Sequence, residues 1–300
     1  MRVLAACGLT VLIGTALTAD ARLAEKQVIV TVMNLRTGQP VSGVTAAVLS
    51  IKEDGTDREI VKVEPATAPM SVILLADNTT AFASHVGELR ATARAFFTSF
   101  FGAHSGSTGS LWTFGAAAVP VSQFQADSAK LVDESGKLRP VDLVMKQSSN
   151  DDNAAHVSES NLIDGVYDAS KALGKRTETR RVIVSFNAAT PLEKSKPTRQ
   201  QVAAELQKAD ATWFAVTFAD GGSSSPMRDS MMTEVLPYSG GLRLTVQDVS
   251  KLEPAVKAIA EILATQYVVT YNRASGSPKE LTIEVKGEGV RAFYPRWAPK

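Results

Sequence analysis

Cysteine is almost missing from this sequence: Cys7 is the only one in 300 residues. No disulfide can form within the chain, so its core alone must hold it. Cysteine nucleophiles and thiolate metal sites are excluded from everything after residue 7. An excess of charge of one sign is missing too. Lys and Arg number 32 against 31 Asp and Glu, for a formal net charge of +1. Such a chain offers no bulk field to draw nucleic acid or an anionic membrane surface, and a nucleic-acid partner is set aside on that ground. Gly-x-Ser-x-Gly, Walker, Gly-x-Gly-x-x-Gly and His-Glu-x-x-His motifs are all lacking, which removes the commonest signatures of hydrolases, nucleotide enzymes and zinc proteases. The expected protein is therefore not an enzyme.

What is present begins with the N-terminus. Met1-Arg2 gives a short positive region, Val3 to Leu17 is almost wholly apolar, and Ala19-Asp20-Ala21 has the small-x-small form of a cleavage site. This is the pattern of a secretory signal peptide over residues 1–21. The apolar run is shorter than the roughly 20 residues a membrane span needs. The expectation is export to the periplasm or the exterior, with no stable membrane insertion after cleavage and retention as an anchor as the alternative. Leu4-Ala5-Ala6-Cys7 has the look of an acylation box but precedes the apolar run instead of following it.

Residues 22–68 read as β. Gln27 to Met33, Val44 to Ile51 and Glu59 to Val63 are rich in β-branched residues and are separated by turn chemistry at Arg36 to Pro40 and Asp54-Gly55. From 69 to 265 short apolar runs alternate with helical stripes. Val72 to Ala76 is a continuous apolar run, as a strand buried on both faces requires. Phe82, Val86, Leu89, Ala93, Phe96 and Phe100 recur at helical spacing. Leu111 to Phe114, Arg181 to Phe186, Thr212 to Phe218 and Gly241 to Val246 read as strands. Leu162 to Leu173, Ser225 to Leu236 and the stripe Leu252, Val256, Ile259, Leu263 read as helices. Thr198-x-x-Gln201 and Ser250-x-x-Glu253 have the form of capping boxes. Residues 266–300 return to β, with runs at Tyr267 to Tyr271, Leu281 to Val285 and Val290 to Tyr294. The fold class is α/β: a Rossmann-like domain with a mostly parallel central sheet and helices on both faces. The two terminal segments add a small β appendage and are expected to pack together.

In an open parallel sheet, ligands sit beyond the carboxyl ends of the strands. Asp77, Asn187 and Asp220 fall there, and Ser160 stands just before a helix. At this point the residues resemble a known family. Ser71-Val-Ile-Leu-Leu-Ala-Asp77-Asn-Thr79-Thr-Ala81 is similar to the opening strand of a von Willebrand factor A (VWFA) domain. That strand ends in Asp-x-Ser-x-Ser, the start of a metal-ion-dependent adhesion site. Ser160-Asn-Leu-Ile-Asp164-Gly resembles the family's Thr-x-Leu-x-Asp-Ala segment. Arg181 to Asn187 resembles the strand that ends in the family's second aspartate. The flanks, Thr37 to Thr45, Ile51 to Gly55, Gln266 to Tyr271 and Val290 to Trp297, resemble a secreted bacterial subgroup of acidobacterial type.

The resemblance implies a protein-binding or adhesion role and a metal set of Asp77, Thr79, Ser160 and Asn187. Two departures weaken that set. Ala81 stands where a hydroxyl should be, and neutral Asn187 stands where a carboxylate should be. Magnesium prefers hard oxygen ligands that include a carboxylate or two. The site is therefore expected to be degenerate, with weak Mg²⁺ or other divalent-cation binding at most and no cofactor required. Two other readings stay open: the four residues satisfy backbone groups, or they touch a partner without metal. His85 is expected on a surface or in packing, and His104 in a hydrated Gly/Ser loop. Asp151, Asp152 and His156 read as a hydrated acidic loop. The stripe Phe96, Phe97, Phe100, Phe101 reads as core, with one ring in excess. A structural or assembly role that uses the β appendage for strand pairing is the alternative to recognition, and a secreted hydrolase comes behind both.

Overall fold

The computed structural model describes residues 24–141, 160–219, 221, 224–273 and 276–299. The expected signal segment, the acidic loop with Asp151, Asp152 and His156, and Asp220 lie outside the described residues. In chain order the first strands are β1 (Ala24–Asn34), β2 (Gln39–Pro40), β3 (Leu49–Glu53), β4 (Thr56–Arg58) and β5 (Ile60–Pro65). Next come β6 (Met70–Ala76), helix α1 (Val86–Ala103), β7 (Thr108–Thr113), β8 (Val119–Pro120) and α2 (Ser128–Ser135). After the loop follow α3 (Leu162–Leu173), β9 (Arg180–Ala188), α4 (Arg199–Ala209), β10 (Ala211–Phe218) and α5 (Pro226–Ser230). The chain closes with β11 (Arg243–Val246), α6 (Leu252–Ala264), β12 (Tyr267–Arg273), β13 (Leu281–Val285) and β14 (Val290–Phe293).

The central sheet has the order β11-β10-β9-β6-β7-β8. Its first five strands pair in parallel, and β8 is an antiparallel hairpin edge. All seven residues of β6 are buried. Alternation sorts them by face, because successive side chains of a strand point opposite ways. Met70, Val72, Leu74 and Ala76 join the core formed with α1 and α6, while Ile73 and Leu75 join the one formed with α3 and α4. The same alternation runs through Val182, Val184 and Phe186 against Ile183 in β9. Phe96, Phe97 and Phe100 are buried in the first core, and Phe101 packs partly buried against it. The Phe96 and Phe100 rings stack at 5.7 Å. Each such ring contributes about 2–3 kcal/mol on burial.

Some local expectations change. Thr198 and Gln201 do form a capping box at α4. Ser250 caps nothing: Asp248 accepts from its backbone N–H, and a 3-10 turn leads into α6. Phe82 sits in a 3-10 turn and not in α1, which begins at Val86. His104 is buried, not hydrated, with its ring 5.0 Å from Phe100. The stretch after α5 continues as a π-helical turn, Met231–Val235, and ends at Tyr238. Gly241 is required just beyond, because a Cβ there would lie 1.7 Å from the Trp213 carbonyl oxygen.

The terminal segments share one sheet of order β14-β1-β12-β5. Ala24 to Val30 pair with β12, and Thr31 to Asn34 pair with β14. A smaller sheet, β13-β3-β4, packs against it through Leu49, Ile51, Leu281 and Ile283. The two are tied by the buried Glu53 carboxylate. It accepts from Arg273 Nε at 2.7 Å, the Tyr271 hydroxyl at 2.6 Å and Arg58 Nε at 3.0 Å. Burial and the neighbouring Glu53 push the Tyr271 hydroxyl well above its ordinary pKa.

Candidate functional site at the carboxyl ends of the central strands

The site begins where β6 stops. Asp77 follows Ala76 directly, and its side chain is buried. Oδ1 accepts the Thr79 backbone N–H at 2.9 Å, a turn in which an aspartate bonds the backbone two residues on. Oδ2 accepts the Ala188 N–H at 2.9 Å. One carboxylate thus joins the ends of β6 and β9. Burial raises the Asp77 pKa from its ordinary value, against opposing effects of the Arg228 charge and of the Thr79 and Ala188 N–H groups.

Ser160 is fully buried and precedes α3. Its Oγ accepts the Leu162 N–H at 3.3 Å. The next residue, Asn161, donates to the Gly115 carbonyl at 2.7 Å, and Asn78 accepts from Gly115 N–H at 2.7 Å. The loop after β7 is therefore held against both the Asp77 turn and the start of α3. Asn187 is also fully buried and lies beside Thr217 of β10, to which its amide donates across a long 3.4 Å. Among the described residues Asn187 Oδ1 has no hydrogen-bond partner, and Thr79 Oγ1 has none of ordinary geometry although it acts on the Asp77 carboxylate.

The group that organises this end of the sheet was not visible in the sequence. Arg228, from α5, is 1% exposed. Its Nη1 donates to the Ala188 carbonyl at 2.6 Å, and its Nη2 donates to Ser160 Oγ. Nε and Nη2 both donate to Glu193 Oε2, at 3.1 and 2.9 Å. Glu193 is buried as completely as its partner. Its Oε1 accepts from the Ser195 hydroxyl at 2.5 Å and from Ile163 N–H at 3.4 Å, at the amino end of α3. A carboxylate is stabilised in that position by the helix dipole. Arg243 reaches the same neighbourhood from β11, donating to Thr217 Oγ1 at 3.0 Å. Burial lowers its pKa, as does the like charge of Arg228, while Asp229 opposes.

Asp77, the Thr79 backbone and Ser160 are thus joined through Ala188 and Arg228 in one hydrogen-bonded network, and Asn187, next to Ala188 in β9, bonds Thr217 instead. Residue 188 is its hub, gripped through N–H by Asp77 and through C=O by Arg228. Sequence reasoning missed Arg228, Glu193 and Arg243. Lys194 and Lys196 make the Glu193 segment read as a solvated loop, and Arg228 reads as the polar face of a helix. Among the described residues no group of three or more His, Cys, Asp or Glu side chains is arranged to hold a metal ion. None of the described helices is long and apolar enough to cross a membrane.

No protein-family model matches the chain, and no curated protein matches it. Solved structures do. The chain superposes on a von Willebrand factor type A protein from Catenulispora acidiphila with a TM-score of 0.51 and 9% identity, covering 86% of this chain and 74% of that one. Proximal thread matrix protein 1 of the mussel byssus, in its second crystal form, gives a TM-score of 0.50 at 10% identity, over 71% of this chain and 50% of that one. The same mussel protein with a zinc-occupied metal-ion-dependent adhesion site gives 0.50 at 11% identity, over 75% and 50%. The chain spans half the length of the mussel protein. These likenesses show the fold, which is of the von Willebrand factor A type.

Proposed function

We propose that this chain is an exported, non-enzymatic protein-recognition module that engages its partner at the carboxyl ends of β6, β9 and β10 without a resident divalent cation. The recognition unit is residues 69–265, and the β segments 22–68 and 266–300 form its support. The N-terminal pattern supports export, and the fold is one whose resemblance implies protein binding. The observation that carries the metal-free reading is Arg228. Of the four residues suggested as ligands, Ser160 already accepts from its guanidinium, and Asp77 lies within its electrostatic reach. Ala81 adds no oxygen, and Asn187 adds no charge. A divalent ion entering among these groups would meet a buried positive charge, so the donor set does not fit it. Asn187 Oδ1, which has no partner among the described residues, suits a bound water, which needs polar partners.

A photo-crosslinking residue at Ser84, which is exposed just past the Asp77 turn, tests the reading in the intact cell envelope. The expected result is a discrete protein adduct that persists in chelator and is absent from a control position at Lys208. An adduct that disappears with chelator would show that a cation bridges the contact after all. A second reading is favoured by β5, which among the described residues has no strand on its outer side and exposes Val61 by 48%. An adduct from Val61 in place of Ser84 would favour assembly through strand pairing at that edge.

A further inference from the structure

A metal ion at an adhesion site supplies two things: positive charge in a buried place, and directions along which oxygen lone pairs can point. A guanidinium supplies both, through donors in a planar fork. At the end of β9, three oxygens direct lone pairs at Arg228: Ser160 Oγ, the Ala188 carbonyl and Glu193 Oε2. Asp77 adds charge without a direct bond, and Ala188 joins it to the guanidinium. Such a site is built, since arginine and glutamate are both almost wholly buried. Buried charges are found paired and hydrogen-bonded because desolvating them alone is costly.

We propose that the Arg228 guanidinium is the resident cation of this site, with Glu193 as its counter-ion, and that the pocket it fills is a guanidinium site. This rests on reading the Asp77 face as the functional site, and it says which chemical class of cation that face takes. Four residues hold the ion: Ser160, Ala188, Glu193 and, through charge, Asp77. The arrangement fixes the positive charge covalently, so it is neither lost to chelators nor dependent on external metal. Removing the side chain leaves the Glu193 carboxylate, the Ser160 hydroxyl and the Ala188 carbonyl around the vacated place, with the Asp77 carboxylate within electrostatic reach.

The test is thermal unfolding of Arg228→Ala in the full chain, with methylguanidinium and methylammonium as millimolar probes. Loss of a buried pair's partner is expected to lower Tm by about 10 °C. Methylguanidinium should restore at least half of that loss, methylammonium should restore much less, and neither should raise the Tm of the wild type. A restoration that is equal for the two amines, or missing, would overturn the proposal. A second measurement needs no variant to rescue: manganese titrated into the wild type should give no binding heat at millimolar concentration. Manganese binding to the wild type that disappears in Asp77→Ala would also overturn it. If Arg228→Ala does not fold, that titration decides alone. Both readouts are independent of any partner, so they can fail while the Ser84 crosslink succeeds, and the reverse.

Discussion

Strand β9 has a buried arginine at each end, and the two are accommodated in different ways. At the amino end Arg180 is 3% exposed. Its acceptors are the carbonyls of Ala66, Ala68 and Leu263 and the side-chain oxygen of Gln266, at 2.7, 3.1, 2.8 and 2.8 Å. Leu263 lies in the last turn of α6, where the helix dipole favours a cation. At the carboxyl end Arg228 is matched by a full carboxylate. The consequence shows in the surroundings. Burial pulls Arg180 down to about 10, and burial, together with the charge of Arg180, holds His104 neutral down to about 4. Partial dipoles hold a cation in place but leave its field to act on neighbours. Arg228 also acts on its neighbours, opposing the burial that raises the Asp77 pKa and adding to the burial that lowers that of Arg243, but its carboxylate makes each partner depend on the other.

That contrast orders the expected effects of substitution. The largest should come from Glu193→Ala, which strands the Arg228 charge in the interior. We expect a loss of about 3–5 kcal/mol in denaturant unfolding at neutral pH. A loss below about 1 kcal/mol would mean that the pair is not the anchor of this end. Arg180→Met keeps the apolar stem and removes the donors. Part of the acceptor set can turn to water, so the expected loss is smaller, about 2–3 kcal/mol. The same variant should raise the His104 pKa, which proton NMR of the imidazole can follow.

The third effect concerns acid. His104 is held below its ordinary 6.5, so the native state binds fewer protons than the unfolded state between about 6.5 and about 4. The stability it contributes is present above 6.5 and is lost as pH falls through that window. Discounted for partial solvent screening, the loss is about 2 kcal/mol. His104→Gln should flatten the stability profile between those pH values. An unchanged profile would locate the acid sensitivity elsewhere. The smallest effect is expected at Thr79→Val, which removes a buried hydroxyl that has at most a weak contact with the Asp77 carboxylate among the described residues. A change within about 1 kcal/mol, in either direction, is expected from unfolding curves. A loss of several kcal/mol would show that this hydroxyl holds something essential.

The two ends were also unequally readable. The unbroken apolar run of β6 and the stripes of α1 and α6 follow from periodicity, since burial on one or two faces leaves its mark in consecutive residues. Topology alone directs Asp77, Ser160 and Asn187 to one end of the sheet. Arg228 and Glu193 carry no such mark. Each taken alone has the look of a surface residue, and only their meeting across 35 positions makes burial tolerable. Arg180 escaped notice for a related reason, because backbone carbonyls leave no trace in a sequence. His104 sits among Gly and Ser residues that suggest solvent, yet it packs against α1 and α6.

Strand β1 has a consequence in time. Gln27 lies beside Thr270, 243 positions further along the chain. As the chain folds, the α/β unit can complete its parallel sheet while β1, with Val28, Val30 and Val32, still waits for β12 and β14. Contacts this distant along the chain close late and slow folding. The terminal sheet is therefore a last stitch, and until it is made the waiting strand is a sticky apolar ribbon. A holding chaperone acting on this chain should find β1 as its principal target.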